Sequence, residues 1–141
     1  MDIVTKINYY EKFVLDNGLQ VVLHEDKSDP IVSVAIQYHV GSAREKPGKT
    51  GFAHLFEHML FQRSEHLGRN EFFKKIGELG GSFNGATGPD GTVYYETVPR
   101  DALEKVLWME SDRMGYFINT VTEGGLKREI DVVSNEKRQG E

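Results

Sequence analysis

One run of eleven residues, from Gly51 to Phe61, constrains this chain more than any other. Its sequence, GFAHLFEHMLF, is apolar except for His54, Glu57 and His58. On an α-helix, which turns about 100° per residue, the two histidines lie about 40° apart and Glu57 lies about 60° from His54. The rest of the helix is apolar, which predicts burial, and a buried carboxylate without a partner is strongly unfavourable. A divalent cation bound at this face would satisfy all three polar groups.

The order of these residues, H-x-x-E-H, is the reverse of the zinc-binding H-E-x-x-H signature. Reversal moves the glutamate from beside the second histidine to beside the first. Either order leaves two imidazoles and a general base around one open metal position. The alternative interpretation is a pair of hydrogen-bonded core histidines, which an isolated histidine would favour. The complete pentad instead predicts His54 and His58 as ligands and Glu57 as the base.

Composition excludes several other classes of function. The 141-residue chain has a formal net charge of −5 and is 38% apolar, and no basic run marks a nucleic-acid or anionic-membrane surface. The absence of cysteine excludes a thiol nucleophile, a cysteine-ligated zinc and disulfides. No apolar run is long enough to span a bilayer. We expect one soluble domain over residues 1–141, with neither nucleic acid nor membrane as partner, in a cytoplasmic or periplasmic compartment that the sequence does not specify.

Strand patterns surround this helix on both sides. Asn17-Gly18 between two apolar runs predicts a hairpin at about residues 12–25. Alternation of apolar and polar residues predicts a half-buried strand over 31–40. Two further strand-like runs, 82–87 and 92–98, are separated by Gly and Pro and predict a second hairpin. The sequence therefore predicts an α+β fold with a mostly antiparallel sheet and helices packed on one side.

Three further helices are predicted from caps and periodicity. Asn70 is the predicted N-cap of a helix that closes at Gly80-Gly81. Pro99 opens a helix to about Phe117, and a capping-box sequence at Thr120 precedes the last helix. The predicted core stripe of the Pro99 helix is Leu103, Val106, Leu107, Met114 and Phe117, with Trp108 beside it.

A catalytic zinc generally has three protein ligands and one open position, so one more ligand is needed. Three other histidines lack ligand spacing and are predicted at the surface or on strand faces: His24, His39 and His66. In the last helix, Glu129 and Glu136 lie near ~300° and ~280° when Leu126 is at zero, and valines flank both. We expect both carboxylates to face the interior, one as ligand and one as its support. Helical geometry does not decide between them, and two acids at the rim of an amphipathic helix remain the alternative.

Four motifs, in order across about residues 13–139, resemble those of the inverzincin metallopeptidases of the pitrilysin, insulysin and mitochondrial processing peptidase type. They are Asp16-Asn17-Gly18-Leu19, Gly51-x-x-His54-x-x-Glu57-His58-Met59-Leu60-Phe61, Gly80-Gly81-x-x-Asn84-x-x-Thr87 with Thr92-x-Tyr94, and Arg128-Glu129-x-x-x-Val133-x-x-Glu136. The resemblance implies a zinc-dependent endopeptidase in which His54, His58 and Glu136 bind Zn²⁺. It also implies that Glu57 activates the attacking water and that Glu129 is a catalytic-site acid one helical repeat before the third ligand.

The resemblance also implies how substrate binds and what surrounds this chain. In this family a peptide adds as a strand to the sheet edge that corresponds here to Ser82, Phe83, Asn84, Gly85, Ala86 and Thr87. Gly85 stands where an alanine is usual. Family members contain two or four α+β units that face each other around a chamber. We therefore expect this chain to be most of the zinc-bearing unit, acting with a second homologous unit in the same or another chain, or as a homo-oligomer.

Two other functions stay open on the sequence. One is a non-catalytic subunit that holds substrate or supports assembly of a processing-peptidase-like complex, and the intact pentad favours the enzyme over it. The other is a structural zinc site, which would need a fourth ligand that no His or Cys is spaced to supply. We expect the isolated chain to bind zinc yet to be weakly active or inactive, because groups from the facing unit are missing.

Overall fold

Two units make up the part of the chain that the structure describes. The computed structural model describes residues 9–140, and the boundary between the units lies after Pro30. The prediction of a single domain over residues 1–141 stays a prediction. Among the described helices, none combines the length and the hydropathy needed to cross a membrane.

The first unit contains an antiparallel hairpin of β1 (Tyr10–Val14) and β2 (Gln20–His24). Gly18 in the turn has a φ of 87°, a conformation that glycine adopts without the steric cost other residues meet. The side-chain oxygen of Asn17 accepts a hydrogen bond from Leu19 N at 3.1 Å. The hairpin predicted from Asn17-Gly18 is confirmed.

A three-stranded antiparallel sheet frames the second unit. Its strands are β3 (Ile31–Tyr38), β4 (Ser82–Thr87) and β5 (Thr92–Pro99), in the order β3-β5-β4. Exposure alternates along β3 as the sequence predicts, although the strand ends at Tyr38 and not at Val40. The predicted hairpin of β4 and β5 is confirmed, with Thr87 opposite Thr92. Because β5 lies in the centre, β4 is an edge strand of this sheet.

Four α-helices accompany the sheet in the described chain: α1 (Phe52–Gln62), α2 (Glu71–Glu78), α3 (Leu103–Tyr116) and α4 (Glu123–Gly140). Helix α1 packs against both α4 and β4. The main core is formed by Leu67, Phe72, Ile76, Val98, Ala102, Val106 and Met109. The predicted α+β class is confirmed, and α1 lies at the centre of this unit's contacts with the sheet and the last helix.

Two helix starts differ from the prediction. Asn70 precedes α2 as expected, but it has a φ of 61° and its side chain makes no capping hydrogen bond. The cap of α4 is Thr122, whose hydroxyl oxygen accepts a hydrogen bond from Gly125 N at 3.1 Å. The predicted cap, Thr120, instead donates to the carbonyl oxygen of Phe117 at 2.7 Å. Its position in a short 3₁₀ turn places its hydroxyl before the start of α4.

The buried face of α3 matches the prediction only in part: Val106 is buried in the core as predicted, but other residues of the predicted stripe are not. Leu107 and Met114, predicted to lie in the core, are 49% and 40% exposed, and Trp108 is 50% exposed. The buried side chains include Glu110 and Arg113. Apolar periodicity missed this face because it carries charged groups that satisfy one another inside the protein.

Arg113 lies among aromatic rings and two carboxylates. Its guanidinium carbon is 4.3 Å from the ring centroid of Tyr94 and 4.5 Å from that of Phe72, within cation–π distance. Its Nη2 donates hydrogen bonds to Glu96, at 3.4 Å, and to Glu110. Burial raises the pKa of Glu96 to about 8, and the hydrogen bond with Glu110 and its negative charge act in the same direction. Glu96 thus keeps its proton to a higher pH than an ordinary glutamate does, and the carboxylate of Glu110 lies against the guanidinium of Arg113.

Glu96→Gln should remove part of the pH dependence of stability. An acid whose pKa rises on folding keeps a proton that the unfolded chain releases, so the free energy of unfolding falls as pH rises. For Glu96 this fall runs from its ordinary pKa of 4.5 to about 8. Urea denaturation across this range should show a smaller decline for Glu96→Gln than for the unchanged protein. The exposed Glu104→Gln is the matched control, and equal slopes for Glu96→Gln and the unchanged protein would contradict the prediction.

Candidate metal centre

The start of α1 is fixed by Glu45 from the preceding loop. Its carboxylate accepts hydrogen bonds from Ala53 N and Gly51 N, each at 2.7 Å. These main-chain hydrogen bonds, that from Ala53 first, hold the pKa of Glu45 below its usual range. A negative charge at a helix N-terminus also stabilises the helix through its dipole. Sequence reasoning missed this residue, since an acid eight positions before the amide it binds carries no local signature.

His54 and His58 lie one turn apart on α1, with 3.1 Å between their Nε2 atoms. Helix α4 brings Glu136 to the same point. Its Oε2 lies 3.3 Å from His58 Nε2 and 3.6 Å from His54 Nε2. The three residues thus present one potential ligand atom each, within 4.8 Å of one another.

These distances fit a zinc ion. Histidine nitrogens and carboxylate oxygens bind zinc at about 2.1 Å, so two ligands of a tetrahedral ion lie about 3.4 Å apart. The three observed separations, 3.1, 3.3 and 3.6 Å, bracket that value. Two imidazoles and one carboxylate are also a donor set that catalytic zinc uses, with the fourth position left open.

Glu129 lies behind His58. Its Oε2 is 3.9 Å from His58 Nδ1, the ring nitrogen that faces away from Glu136. The side chain of Glu129 is 7% exposed, whereas that of Glu136 is 46% exposed. The expectation that both acids face the interior is therefore wrong for Glu136. Only the stretch of α4 near Glu129 is covered, and Glu136 lies farther along the helix, where α4 remains open to solvent.

Glu57 precedes His58 in α1 and is not one of the three residues of the cluster. Its Oε2 accepts a hydrogen bond from the hydroxyl of Thr87 on β4. A Cβ atom at Gly85 would lie 3.1 Å from Glu57 Oε1 and 2.8 Å from the ring of Phe61. The glycine at this position therefore allows β4 to approach α1 closely.

The edge strand β4 contains all six residues assigned to substrate by the resemblance. Exposure alternates along it: Phe83, Gly85 and Thr87 are half buried, and the residues between them are exposed. One side of the strand pairs with β5, and within residues 9–140 no strand pairs with its other side. Main-chain groups on that side are of the kind that can pair with an extended peptide. Their role in binding stays a prediction.

Comparisons with known proteins agree with this arrangement. Residues 20–139 match the family model described as Insulinase (Peptidase family M16). The chain belongs to the insulinase family. The resemblance inferred from the four motifs is thereby confirmed.

Several relatives of this insulinase-family chain are named proteases. The chain is 36% identical over 132 residues to the insulin-degrading enzyme homolog of Dictyostelium discoideum. This alignment covers 92% of the chain and 13% of that protein. It is 34% identical over 130 residues to the zinc protease PqqE of Helicobacter pylori, which covers 92% of this chain and 29% of that protein. The crystal structure of a protease from Helicobacter pylori matches 93% of this chain and 31% of its own, with a TM-score of 0.86 and 34% identity. This chain thus spans about a third or less of the length of these relatives.

An open groove of about 610 Å³ adjoins the candidate metal centre of this insulinase-family chain. Its lining includes Phe52, His54, Leu55, Ile130 and Glu136. Phe52 is 49% exposed, so the prediction that the whole helix is buried is wrong for this side of α1. The buried residues of this helix are Ala53, Leu55 and Met59.

His66 is not merely solvated, as the sequence had predicted. Its Nδ1 lies 2.5 Å from Asp112 Oδ1, and the hydroxyl of Ser64 donates to the other oxygen of Asp112. The hydrogen bond with Asp112 raises the pKa of His66. The surface prediction holds for His24, whose Nδ1 lies 3.0 Å from the carbonyl oxygen of Tyr9 in an exposed contact, and for His39, which contacts Arg44 at an exposed position. These three histidines lie outside the three-residue cluster.

Substitutions at two candidate ligands and at Glu129 should lower zinc binding to different extents. His58→Ala should abolish retention of zinc after dialysis, because two remaining ligands hold the ion weakly. Glu129→Gln should lower the affinity about 10- to 100-fold, as loss of a group behind a ligand does, and Glu136→Gln should lower it more. Titration calorimetry and metal analysis measure both effects, with His39→Ala as the control. Unchanged zinc in His58→Ala would remove the assignment, and a larger effect at Glu129 would exchange the roles of the two acids.

Proposed function

We propose that this chain is the zinc-bearing part of an endopeptidase that hydrolyses peptides or extended polypeptide segments. The observation that carries the proposal is the spacing of the donor atoms of His54, His58 and Glu136, with Glu57 next to His58 in the sequence of α1. The names of the relatives, which include zinc proteases, support the same chemistry. The complete set of ligands and base favours an enzyme over a subunit that only holds substrate.

Each side chain has a separate task in the proposed reaction. Zinc held by the three ligands would supply a Lewis acid that polarises the scissile carbonyl and lowers the pKa of water. Glu57 takes a proton from the attacking water and delivers it to the leaving amine. Glu129 supports the imidazole of His58 from the side of its Nδ1.

The substrate we propose is an extended peptide that pairs with the free side of β4. Main-chain pairing supplies affinity with little discrimination between side chains. The groove beside His54 and Glu136 has a largely apolar surface, to which Phe52, Leu55, Ile130 and Val133 contribute, and it suits an apolar residue of the substrate. A second insulinase-family unit is the proposed partner, in the same or another chain or as a second copy, and it would hold the peptide from the opposite side.

Glu57→Gln should separate zinc binding from chemistry. The amide keeps the size of the side chain but cannot accept the proton of water, so kcat should fall by orders of magnitude. Zinc content should stay unchanged because Glu57 is not a ligand. A quenched-peptide assay and metal analysis of the same preparation give both quantities. Loss of zinc together with activity would show that Glu57 is a ligand, and retained activity would show that it is not the base.

The isolated chain should bind zinc and cleave peptides slowly. Its ligands and base lie within two helices, whereas correct positioning of a substrate can account for about 7 to 11 kcal/mol of a barrier. The test compares kcat/KM for this chain alone and mixed with the separately expressed remainder of Helicobacter pylori PqqE. A rise in kcat/KM on mixing supports a second unit as partner. Full activity of the chain alone would show that a second unit is dispensable.

A further inference from the structure

The hydroxyl groups of two threonines connect Glu57 to the ends of all three strands of the sheet. Thr87 is the last residue of β4, and its hydroxyl donates to Glu57 Oε2. Its oxygen lies 3.1 Å from the hydroxyl oxygen of Thr92, the first residue of β5. Thr92 in turn donates to the carbonyl oxygen of Val40, just beyond β3, at 2.9 Å. The carboxylate of Glu57 is therefore attached to the sheet as well as to its own helix.

The pairing of the strands makes this contact rigid. Thr87 and Thr92 are directly opposite each other where the turn of the hairpin begins, so their side chains share one face of the sheet. Thr92 is 4% exposed, and Thr87 is half buried. Since β-branched side chains have few rotamers, the hydroxyl of Thr87 has little freedom to turn away from Glu57.

The number of available protons agrees with Thr87 as the donor and Glu57 as the acceptor of their hydrogen bond. Each threonine hydroxyl has one proton, and an ionised carboxylate only accepts hydrogen bonds. The proton of Thr92 can go to Val40 O or to Thr87, and both arrangements leave the proton of Thr87 free for Glu57. Oε2 is then fixed as the acceptor. Oε1 is left on the side of Gly85, where the glycine leaves room around it.

We propose that Thr87 and Thr92 are positioning residues for peptide hydrolysis, with Thr87 fixing Glu57 through Oε2 and Thr92 fixing Thr87. This inference rests on the proposed function, in which Glu57 is the base. It also gives the side chain of Thr87 a different task from the substrate contact implied by the resemblance. That side chain is on the inward face of β4 with Phe83 and Gly85, and its hydroxyl is already used by Glu57.

Valine has the shape of threonine but lacks the hydroxyl, so threonine-to-valine substitutions test the proposal. The zinc-loaded chain is assayed alone and mixed with the separately expressed remainder of Helicobacter pylori PqqE. Thr87→Val should lower kcat about 10- to 100-fold, because small misplacement of a reacting group has effects of this size. KM and zinc content should change little. Thr87→Ser keeps the hydroxyl, so its kcat should stay within a few-fold of that of the unchanged protein. The kcat of Thr92→Val should lie between those of Thr87→Val and Thr87→Ser.

Thr97→Val is the matched control. Thr97 is on β5, as Thr92 is, and its hydroxyl lies 2.9 Å from that of Ser33 on β3. The substitution therefore removes a similar cross-strand pair of hydroxyls away from Glu57. Unchanged kcat in Thr87→Val overturns the proposal. A rise in KM at constant kcat would indicate a substrate contact and overturn it as well. Equal losses of kcat in Thr87→Ser and Thr87→Val would also overturn the proposal.

A second measurement needs no activity. A double-mutant cycle of Thr87→Val and Glu57→Ala in the metal-free chain compares the effects of the two substitutions on the free energy of unfolding. We expect the effects to be non-additive, and additive effects overturn the contact. The two proposals fail differently: retained activity in Glu57→Gln removes the proposed base, whereas loss of activity in Glu57→Gln but not in Thr87→Val removes only the positioning role.

Discussion

The approach of α4 to α1 brings together the three side chains of the candidate metal centre, and the other polar contacts described above surround it. Two imidazole nitrogens and a carboxylate oxygen lie within 3.6 Å of one another. Such a group of acceptors is unfavourable unless a proton or a cation is shared among them. A divalent cation satisfies all three at once, so the two helices and the ion would stabilise one another.

Neighbouring elements anchor each reactive side chain from a different direction. Glu45 in the loop fixes the start of α1 through two main-chain amides. Glu129 lies at the outer nitrogen of His58, and Thr87 holds Glu57 from the sheet. Side chains held from several elements have few alternative orientations, and such preorganisation is what the proposed reaction would require.

The buried cluster of charged side chains on α3 and β5 contacts α1 through Phe61. Arg113 lies 5.2 Å from the ring centroid of Phe61, the residue near the end of α1 that also contacts Tyr94. Breaking a buried ion pair by removal of one partner is strongly destabilising, since a charge is left without compensation. The cluster of Arg113, Glu96 and Glu110 therefore couples the position of α1 to the packing of α3 and β5.

The sequence by itself determined the local elements and the placement of the pentad's side chains on α1. Asn17-Gly18 specified a hairpin, because its turn needs a positive φ, and the spacing of His54 and His58 placed both rings on one helical face. Apolar alternation located β3 and its buried side. These features depend on residues that are near one another in the chain, so their consequences follow from backbone geometry alone.

Only the tertiary structure decided which distant groups meet. Helical angles left Glu129 and Glu136 equivalent, and the crossing of α4 over α1 placed Glu136 at both Nε2 atoms and Glu129 behind one ring. Asp112 meets His66 from 46 residues away, and Thr87 meets Glu57 from 30 residues away. The charged part of the buried face of α3 was missed for a related reason. Hydrophobic periodicity measures the cost of burying each residue alone, whereas Arg113 and Glu110 are buried because the fold brings their charges together.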